Sequence, residues 1–254
     1  MHATNVPSWR RALITGGTGG IGSAIAARLS ASGTEVVLVG QRPDRLAESA
    51  ATLGGAETII CDLSGDGVSV LEQRLASEES PVDLLVNCAG YTVVGPFHGT
   101  DLPRTLDMLS VNTMALVRLT HAAATAMAGR GDGTILNISS RAGFGPRAGA
   151  ACYGASKAFV NIFSLALAEE LAQTGVRVVC VAPGATSTDF FQRAGLDMAA
   201  FNHTVFQTPE EVAEVCLKAI GASDRLTLTS QENADAISRW IADISESFTI
   251  RPPG

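Results

Sequence analysis

Six short runs rich in β-branched residues and leucine recur along this chain, and longer Ala/Leu-rich segments of helical spacing separate most of them. The runs cover 12–15, 35–39, 58–61, 84–86, 134–138 and 176–181. Between them lie 21–31, 44–53, 68–77, 102–128 and 153–173, each long enough to bring the chain back across a sheet. That rhythm is the βαβ unit repeated, and it predicts an α/β fold with a doubly wound, Rossmann-type parallel sheet flanked by helices. Composition agrees: 46% hydrophobic residues, only 17% charged, and 26 glycines suit strands covered on both faces. No Pro/Ser-rich linker divides the chain, so one domain over 1–254 is expected. Within it 189–207 reads as an insert, 209–220 as a helix, 226–229 as a short strand and 230–254 as a C-terminal helix and tail.

The first run leads into Gly16-Gly17-Thr18-Gly19-Gly20-Ile21-Gly22 and then a helical segment. A glycine-rich turn there lets backbone N–H groups and a helix N-terminus approach a pyrophosphate. The stretch fits two glycine patterns, one through Gly17, Gly19 and Gly22, the other through Gly16, Gly20 and Gly22. Other residues stand where such a fold collects ligands, at the C-terminal ends of its strands. They are Asp62-Leu63 after the third run, where the carboxylate suits an adenine amino group, and Asn87-Cys88-Ala89-Gly90 after the fourth.

Tyr153 and Lys157 stand four apart at the start of a helical segment, so their side chains project from one face. A free phenol titrates near ~10. One ammonium at about 4 Å is worth roughly 4 kcal/mol at an effective dielectric of 20, on the order of three pKa units before desolvation opposes it, which predicts a Tyr153 poised for proton transfer. Ser140, two residues beyond the fifth run, is placed to share a carbonyl or alcohol oxygen with it.

Together TGGTGGIG, NCAG, NISS, YGASK and VAPGATSTD resemble the short-chain dehydrogenase/reductase family, over roughly residues 11–188. The resemblance favours Gly16, Gly20 and Gly22 as the glycine set, with Thr18 and Ile21 beside them. It implies Tyr153 as catalytic acid/base, Lys157 as the residue that lowers its pKa and holds the nicotinamide ribose, Ser140 as stabiliser of the substrate oxygen, and Asn112 as holder of a relay water within one long helix 102–128. It also implies that Pro183, Gly184, Thr186 and Thr188 bind the nicotinamide carboxamide, with Thr186 where Val or Ile is common. The expected activity is hydride transfer between a nicotinamide cofactor and a carbonyl or secondary alcohol. No metal is implied.

Gly40 stands where an NAD-type carboxylate would be expected, and Arg42 and Arg45 follow, so NADP(H) is favoured and NAD(H) is the alternative. Gln41 and Gly19 depart from the basic residues that many NADP-preferring relatives carry. The insert holds Phe190, Phe191, Leu196, Met198, Phe201 and Phe206, and reads as an apolar lid over a small ketone or alcohol. Tyr91, Phe97 and Phe144 are further candidate walls. The tail lacks the TGxxxxVDGG-like ending of many relatives and has Ile237, Trp240, Ile241 and Ile244 at helical spacing; a homodimer or homotetramer is expected.

A net charge of -7 without a basic block argues against a nucleic-acid surface. Five cysteines without a CxxC pair argue against disulfides or zinc. The first residues lack an apolar signal core, and no stretch of about 18 uninterrupted apolar residues follows, so no membrane association and a cytoplasmic location are expected. Two other readings remain at this point. One is a catalytically idle dinucleotide sensor or interaction module. The other couples the redox chemistry to epimerisation or dehydration, with His98 or His203 as an extra base.

Overall fold

The computed structural model describes residues 9–195, 206–222 and 225–230, together with Asp235, Arg239 and Trp240. Seven parallel strands form one sheet in the order β3-β2-β1-β4-β5-β6-β7. They are β1 (Arg11–Thr15), β2 (Glu35–Gly40), β3 (Glu57–Ile60), β4 (Leu84–Asn87), β5 (Gly133–Ile138), β6 (Val176–Ala182) and β7 (Leu226–Leu228). Helices α1 (Gly20–Ala31), α2 (Pro43–Thr52), α3 (Val68–Leu75), α4 (Leu102–Leu109), α5 (Leu116–Arg130), α6 (Ala151–Glu170), α7 (Phe190–Arg193) and α8 (Pro209–Gly221) complete the order.

Alternation along each strand builds two cores. Ile14, Leu38, Val86, Leu136 and Val179 face one side with Ile25 and Leu29 of α1 and Val212 and Ile220 of α8. Leu13, Val37, Leu85, Ile135 and Val178 face the other with Leu71 and Leu75 of α3 and Leu119 and Met127 of α5. At the C-terminal edge the in-register row Thr15, Asn87, Asn137 and Cys180 turns polar. Asn87 Nδ2 donates to Asn137 Oδ1 at 2.9 Å and to Thr120 Oγ1 at 3.0 Å, and Asn137 Nδ2 donates to Ser164 Oγ at 2.9 Å. The strand order reverses between β1 and β4, which opens a crevice at this edge.

The expected single helix over 102–128 is broken. Ser110–Ala115 forms a π-helical turn between α4 and α5. Thr113 Oγ1 donates to the Leu109 carbonyl at 2.5 Å, in competition with the helical ladder, while Asn112 is drawn out by the backbone of Tyr91. Helix α6 is long and apolar enough to cross a membrane by length and composition alone. It nevertheless packs against β6 and buries Ser156, Lys157, Asn161 and Ser164, as a sheet-covering helix does.

Leu196, Met198, Phe201, His203, Ile237, Ile241 and Ile244 lie outside the described residues. Trp240 meets the Phe144 ring edge-on at 5.2 Å.

Candidate active site

The crevice is lined first by the glycine turn. Gly16 has φ +66, and a Cβ on it would stand 2.9 Å from Ala89 Cα, so only glycine lets β1 pass this close to the end of β4. A Cβ on Gly22 would stand 2.3 Å from the Gly16 carbonyl oxygen, and one on Gly20 would stand 2.4 Å from Thr188 Cγ2. A Cβ on Gly17 would likewise stand 2.7 Å from Leu38 Cδ2, so close packing does not separate the two glycine sets, and what distinguishes Gly16 is its positive φ and its backbone contact. Thr18 and Ile21 flank the opening of α1, whose N-cap, Gly19, makes no side-chain cap bond. The turn thus forms a cradle without side chains at a helix N-terminus, which fits a pyrophosphate.

Thr15, which the sequence reading passed over, fixes the other wall: its Oγ1 accepts from the N–H groups of Cys88 and Ala89, both at 3.1 Å. A hydroxyl residue directly before a glycine turn was the available signal. The Asn87 amide nitrogen braces β4 rather than facing the crevice. At the far end Gln41 Nε2 donates to Asp62 Oδ1 at 2.8 Å, an oxygen that also accepts from Ser64 N and Oγ. The Ser64 hydrogen bonds hold the Asp62 carboxyl below its ordinary pKa. Leu63 is buried beneath this corner, while Arg42 and Arg45 are exposed and in no ion pair among the described residues.

Four polar side chains converge where β4 and β5 end. Ser140 caps the 3₁₀ turn Arg141–Phe144, its Oγ accepting from Ala142 N at 3.2 Å, and it lies close enough to the Tyr153 phenol to lower its pKa. Lys157 Nζ donates to the Ile138 carbonyl at 3.0 Å. Asn112, 1% exposed, clasps Tyr91: its Oδ1 accepts from Tyr91 N at 3.2 Å, and its Nδ2 donates to Tyr91 O at 3.0 Å and to Ser156 Oγ at 3.2 Å. A Cβ on Gly90 would lie 3.0 Å from Asn112 Oδ1 and 3.5 Å from Lys157 Nζ, so the bare backbone of Gly90 lets both approach. Ser156, three residues beyond Tyr153 on the same helix, is another residue the sequence reading missed.

The expected direction of the Tyr153 shift is corrected. Burial pushes the phenol up to about 12, against a smaller lowering by the Ser140 hydrogen bond, and the lysine is not among the causes. Burial also brings Lys157 down to about 8. Desolvation outweighs the Coulombic gain because Lys157 is buried, Tyr153 is partly buried and the ammonium is turned onto a backbone carbonyl.

Pro183 accepts from Arg141 N at 2.9 Å, Gly184 N donates to Thr229 Oγ1, and Thr186 bridges to Gln207, which places this segment beside Ser140 and Gly20. Of the candidate walls, Phe144 stands next to the serine turn and Tyr91 donates its hydroxyl to Arg104 O. Phe97, 63% exposed on the turn Phe97–Gly99, is a surface residue instead. His98 on the same turn is exposed as well. No group of three His, Cys, Asp or Glu suited to a metal occurs among the described residues.

A glycine cradle at a sheet's switch point, with Ser, Tyr, Lys and Asn gathered one crossover away, defines a dinucleotide-dependent redox site on an α/β scaffold. The short chain dehydrogenase family model matches residues 10–199, and the chain belongs to that family, the NAD(P)-dependent short-chain dehydrogenases and reductases. It is 37% identical over 212 residues to the NADP-dependent 3-hydroxy acid dehydrogenase YdfG of Escherichia coli, covering 80% of this chain and 85% of that one. Among solved structures it resembles a short-chain dehydrogenase from Sphingobium yanoikuyae in complex with NADPH. The TM-score is 0.86 at 30% identity, over 96% of this chain and 98% of that one. It also resembles the bulky-bulky ketone specific alcohol dehydrogenase from Comamonas testosteroni. There the TM-score is 0.81 at 27% identity, over 98% and 97% of the two chains.

Proposed function

We propose that this protein is an NADP(H)-preferring carbonyl reductase or alcohol dehydrogenase acting on a mostly apolar small ketone or secondary alcohol. The observation that carries the reading is the meeting of Lys157 and Asn112 beside Gly90, with Tyr153 one helical turn before Lys157 on α6 and Ser140 close enough to lower the phenol's pKa. NADP(H), when bound, supplies or accepts the hydride. Gly16, Thr18, Gly20, Ile21 and Gly22 would cradle its phosphates, Asp62 and Leu63 its adenine, and Ala89, Gly90, Pro183, Gly184, Thr186 and Thr188 its nicotinamide half. Ser140 Oγ and the Tyr153 phenol bind one substrate oxygen, and Tyr153 gives that oxygen its proton in reduction or takes it in oxidation. A phenol near 12 is fully protonated at neutral pH and ready to act as the acid. Lys157 holds a positive charge behind it below about pH 8. Asn112 fixes the Tyr91–Gly90 backbone beside that ammonium.

Preference for the 2′-phosphate is supported by the absence of a carboxylate at Gly40, by exposed Arg42 and Arg45, by the NADP dependence of the Escherichia coli relative and by the NADPH in complex with the Sphingobium neighbour. The aromatic residues around Tyr153 support an apolar substrate. Five free thiols agree with the reducing cytoplasm, and exposed apolar residues on α4 and α6 with a homodimer or homotetramer. Against a sensor stands the complete Asn112, Ser140, Tyr153 and Lys157 set.

The test is titration with NADPH and NADH by nicotinamide fluorescence, followed by turnover with ketones and 3-oxo acids. Tighter NADPH binding and ketone turnover are expected. Tyr153→Phe should lose on the order of 10² to 10⁴-fold in kcat with NADPH affinity kept. Full activity in that variant would remove the mechanism, and binding without turnover on any substrate would restore the sensor.

A further inference from the structure

Phe190 lies two residues beyond Thr188, on the four-residue helix α7, and its ring centroid is 5.7 Å from that of Tyr153, tilted by 54°. Phe191 meets it edge-on at 5.6 Å, and Phe206 meets Phe191 edge-on at 5.6 Å. An aromatic chain therefore runs from Tyr153 through Phe190 and Phe191 to Phe206.

Three ties hold Phe190 in that place. At the neck, Thr186 and Gln207 form a parallel bridge, with Ser187 N donating to Gln207 O at 2.8 Å and Gln207 N to Ala185 O at 2.9 Å. Gln207 Nε2 adds a bond to Thr229 O at 2.7 Å. At the base, Thr188 packs into the space left by the missing side chain of Gly20. At the outer end, Arg104 Nη2 reaches from α4 to the Arg193 carbonyl at 3.1 Å, the last residue of α7. Arg104 is itself fixed, since its N–H donates to Asp101 Oδ1 at 3.2 Å and its carbonyl accepts from Tyr91 OH at 3.3 Å.

We propose that Phe190 is a specificity-determining residue whose ring walls the substrate pocket and selects carbonyl compounds with an aryl or bulky apolar group next to the reacting carbon. Arg104 is the positioning residue that holds that wall. The inference rests on the reductase reading and names the substrate class of the same site. A substrate oxygen between Ser140 and Tyr153 puts one of its carbon's substituents within reach of the adjoining ring, where an aryl group gains offset or edge contact. A carboxylate in that position would lose hydration. Of the two arginines that tie the outer end of α7, Arg193 pairs with Asp189 at 3.5 Å and Arg104 donates to the Arg193 carbonyl.

The experiment measures binding of butyrophenone and acetone to the NADPH complex of the Tyr153→Phe protein, by quenching of nicotinamide fluorescence, so that affinity is read without turnover. Adding Phe190→Ala should weaken butyrophenone about tenfold, some 1.4 kcal/mol, and leave acetone within about twofold. Arg104→Met should reproduce the butyrophenone loss and Arg104→Lys should recover most of it, because a lysine can still donate to the Arg193 carbonyl. In otherwise wild-type protein the same changes should raise KM for butyrophenone more than they lower kcat. Equal weakening of both ketones, no weakening of either, or no butyrophenone binding by the parent overturns the proposal. Selective weakening in a protein that turns over no ketone would leave the wall standing and remove the reductase reading.

Discussion

Lys157 holds its charge against its surroundings: it is 6% exposed, and burial lowers its pKa from 10.5 to about 8. Between those values the unfolded chain still binds a proton that the folded protein has released, so stability rises with pH across this window, while below it the cost of burying the ammonium is fully present and constant. The full contribution is roughly 3 kcal/mol. Tyr153 acts in the opposite sense: it is raised from 10.0 to about 12, so the folded state keeps a proton the unfolded chain has lost, and stability falls as pH rises between the two. Four thiols whose pKa desolvation raises, Cys61, Cys180 and Cys216 in the core and the partly buried Cys88, also pull downward above about 9. The lysine is therefore isolated by subtraction. Urea unfolding of wild type and Lys157→Met from about pH 7 to 10 should give curves whose difference grows in favour of the wild type above about 8; parallel curves would refute the burial account. Gly40 supports a second expectation at this scale. A Cβ there would make ordinary contacts, 3.5 Å from Leu46 Cδ2 and from Thr18 Oγ1, so Gly40→Asp fits without displacing the turn. Its carboxylate should weaken NADPH about tenfold or more and spare NADH, read by fluorescence titration; an unchanged ratio would place the 2′-phosphate elsewhere.

At the scale of elements, the site depends on how tightly the Ser140 turn sits on α6. A Cβ on Gly143 would stand 2.6 Å from the Lys157 carbonyl carbon, 2.8 Å from Ala158 N and 2.8 Å from Asn161 Nδ2. Gly143→Ala must therefore lift the turn Arg141–Phe144 off the helix and separate Ser140 from Tyr153. We expect a loss of about 1–3 kcal/mol in stability, with kcat falling further than that loss of folded protein explains; calorimetry beside steady-state kinetics checks it, and wild-type values in both would show that the turn can yield. The alternation of β-branched runs made the sheet legible, and strands β1 to β6 begin and end within a residue or so of the apolar runs. The motif residues were legible too, because glycine turns and a Tyr/Lys pair four apart are local patterns. The π turn at Ser110–Ala115 was not, since its cause is a long-range clasp between Asn112 and Tyr91 that no helical periodicity carries. The Tyr153 shift was misread for a related reason: spacing shows that a lysine is near, whereas the degree of burial that decides the balance belongs to the packed structure. The Arg104–Arg193 tie likewise joins α4 to α7 across 89 positions and leaves no mark in either segment.

Among the described residues, one face of the catalytic half exposes large apolar side chains. Leu102 and Leu106, four apart on α4, are 57% and 53% exposed, Met114 of the π turn is 60% exposed, and Phe159 and Ile162 of α6 are 42% and 44% exposed. Helices α4 and α6 pack against each other, and Phe159 stacks on Phe163 at 5.6 Å, which holds part of this apolar surface rigid. The same elements carry Asn112, Tyr153 and Lys157, so whatever covers them also backs the site. A second copy of the chain is the expected cover, because a contiguous apolar patch is costly on a lone subunit. Net charge makes the driving force separable. Two subunits of formal charge -7 repel, and salt screens that repulsion while leaving apolar burial intact. Sedimentation of the wild type should show a dimer or tetramer that tightens as salt is raised from about 0.05 to 0.5 M, and Leu106→Glu with Ile162→Glu should yield monomer whose turnover is reduced several-fold while NADPH binding at the glycine turn persists. Association that weakens with salt would assign the contact to ion pairs elsewhere on the surface, and a wild-type monomer at micromolar concentration would show that these residues face solvent alone.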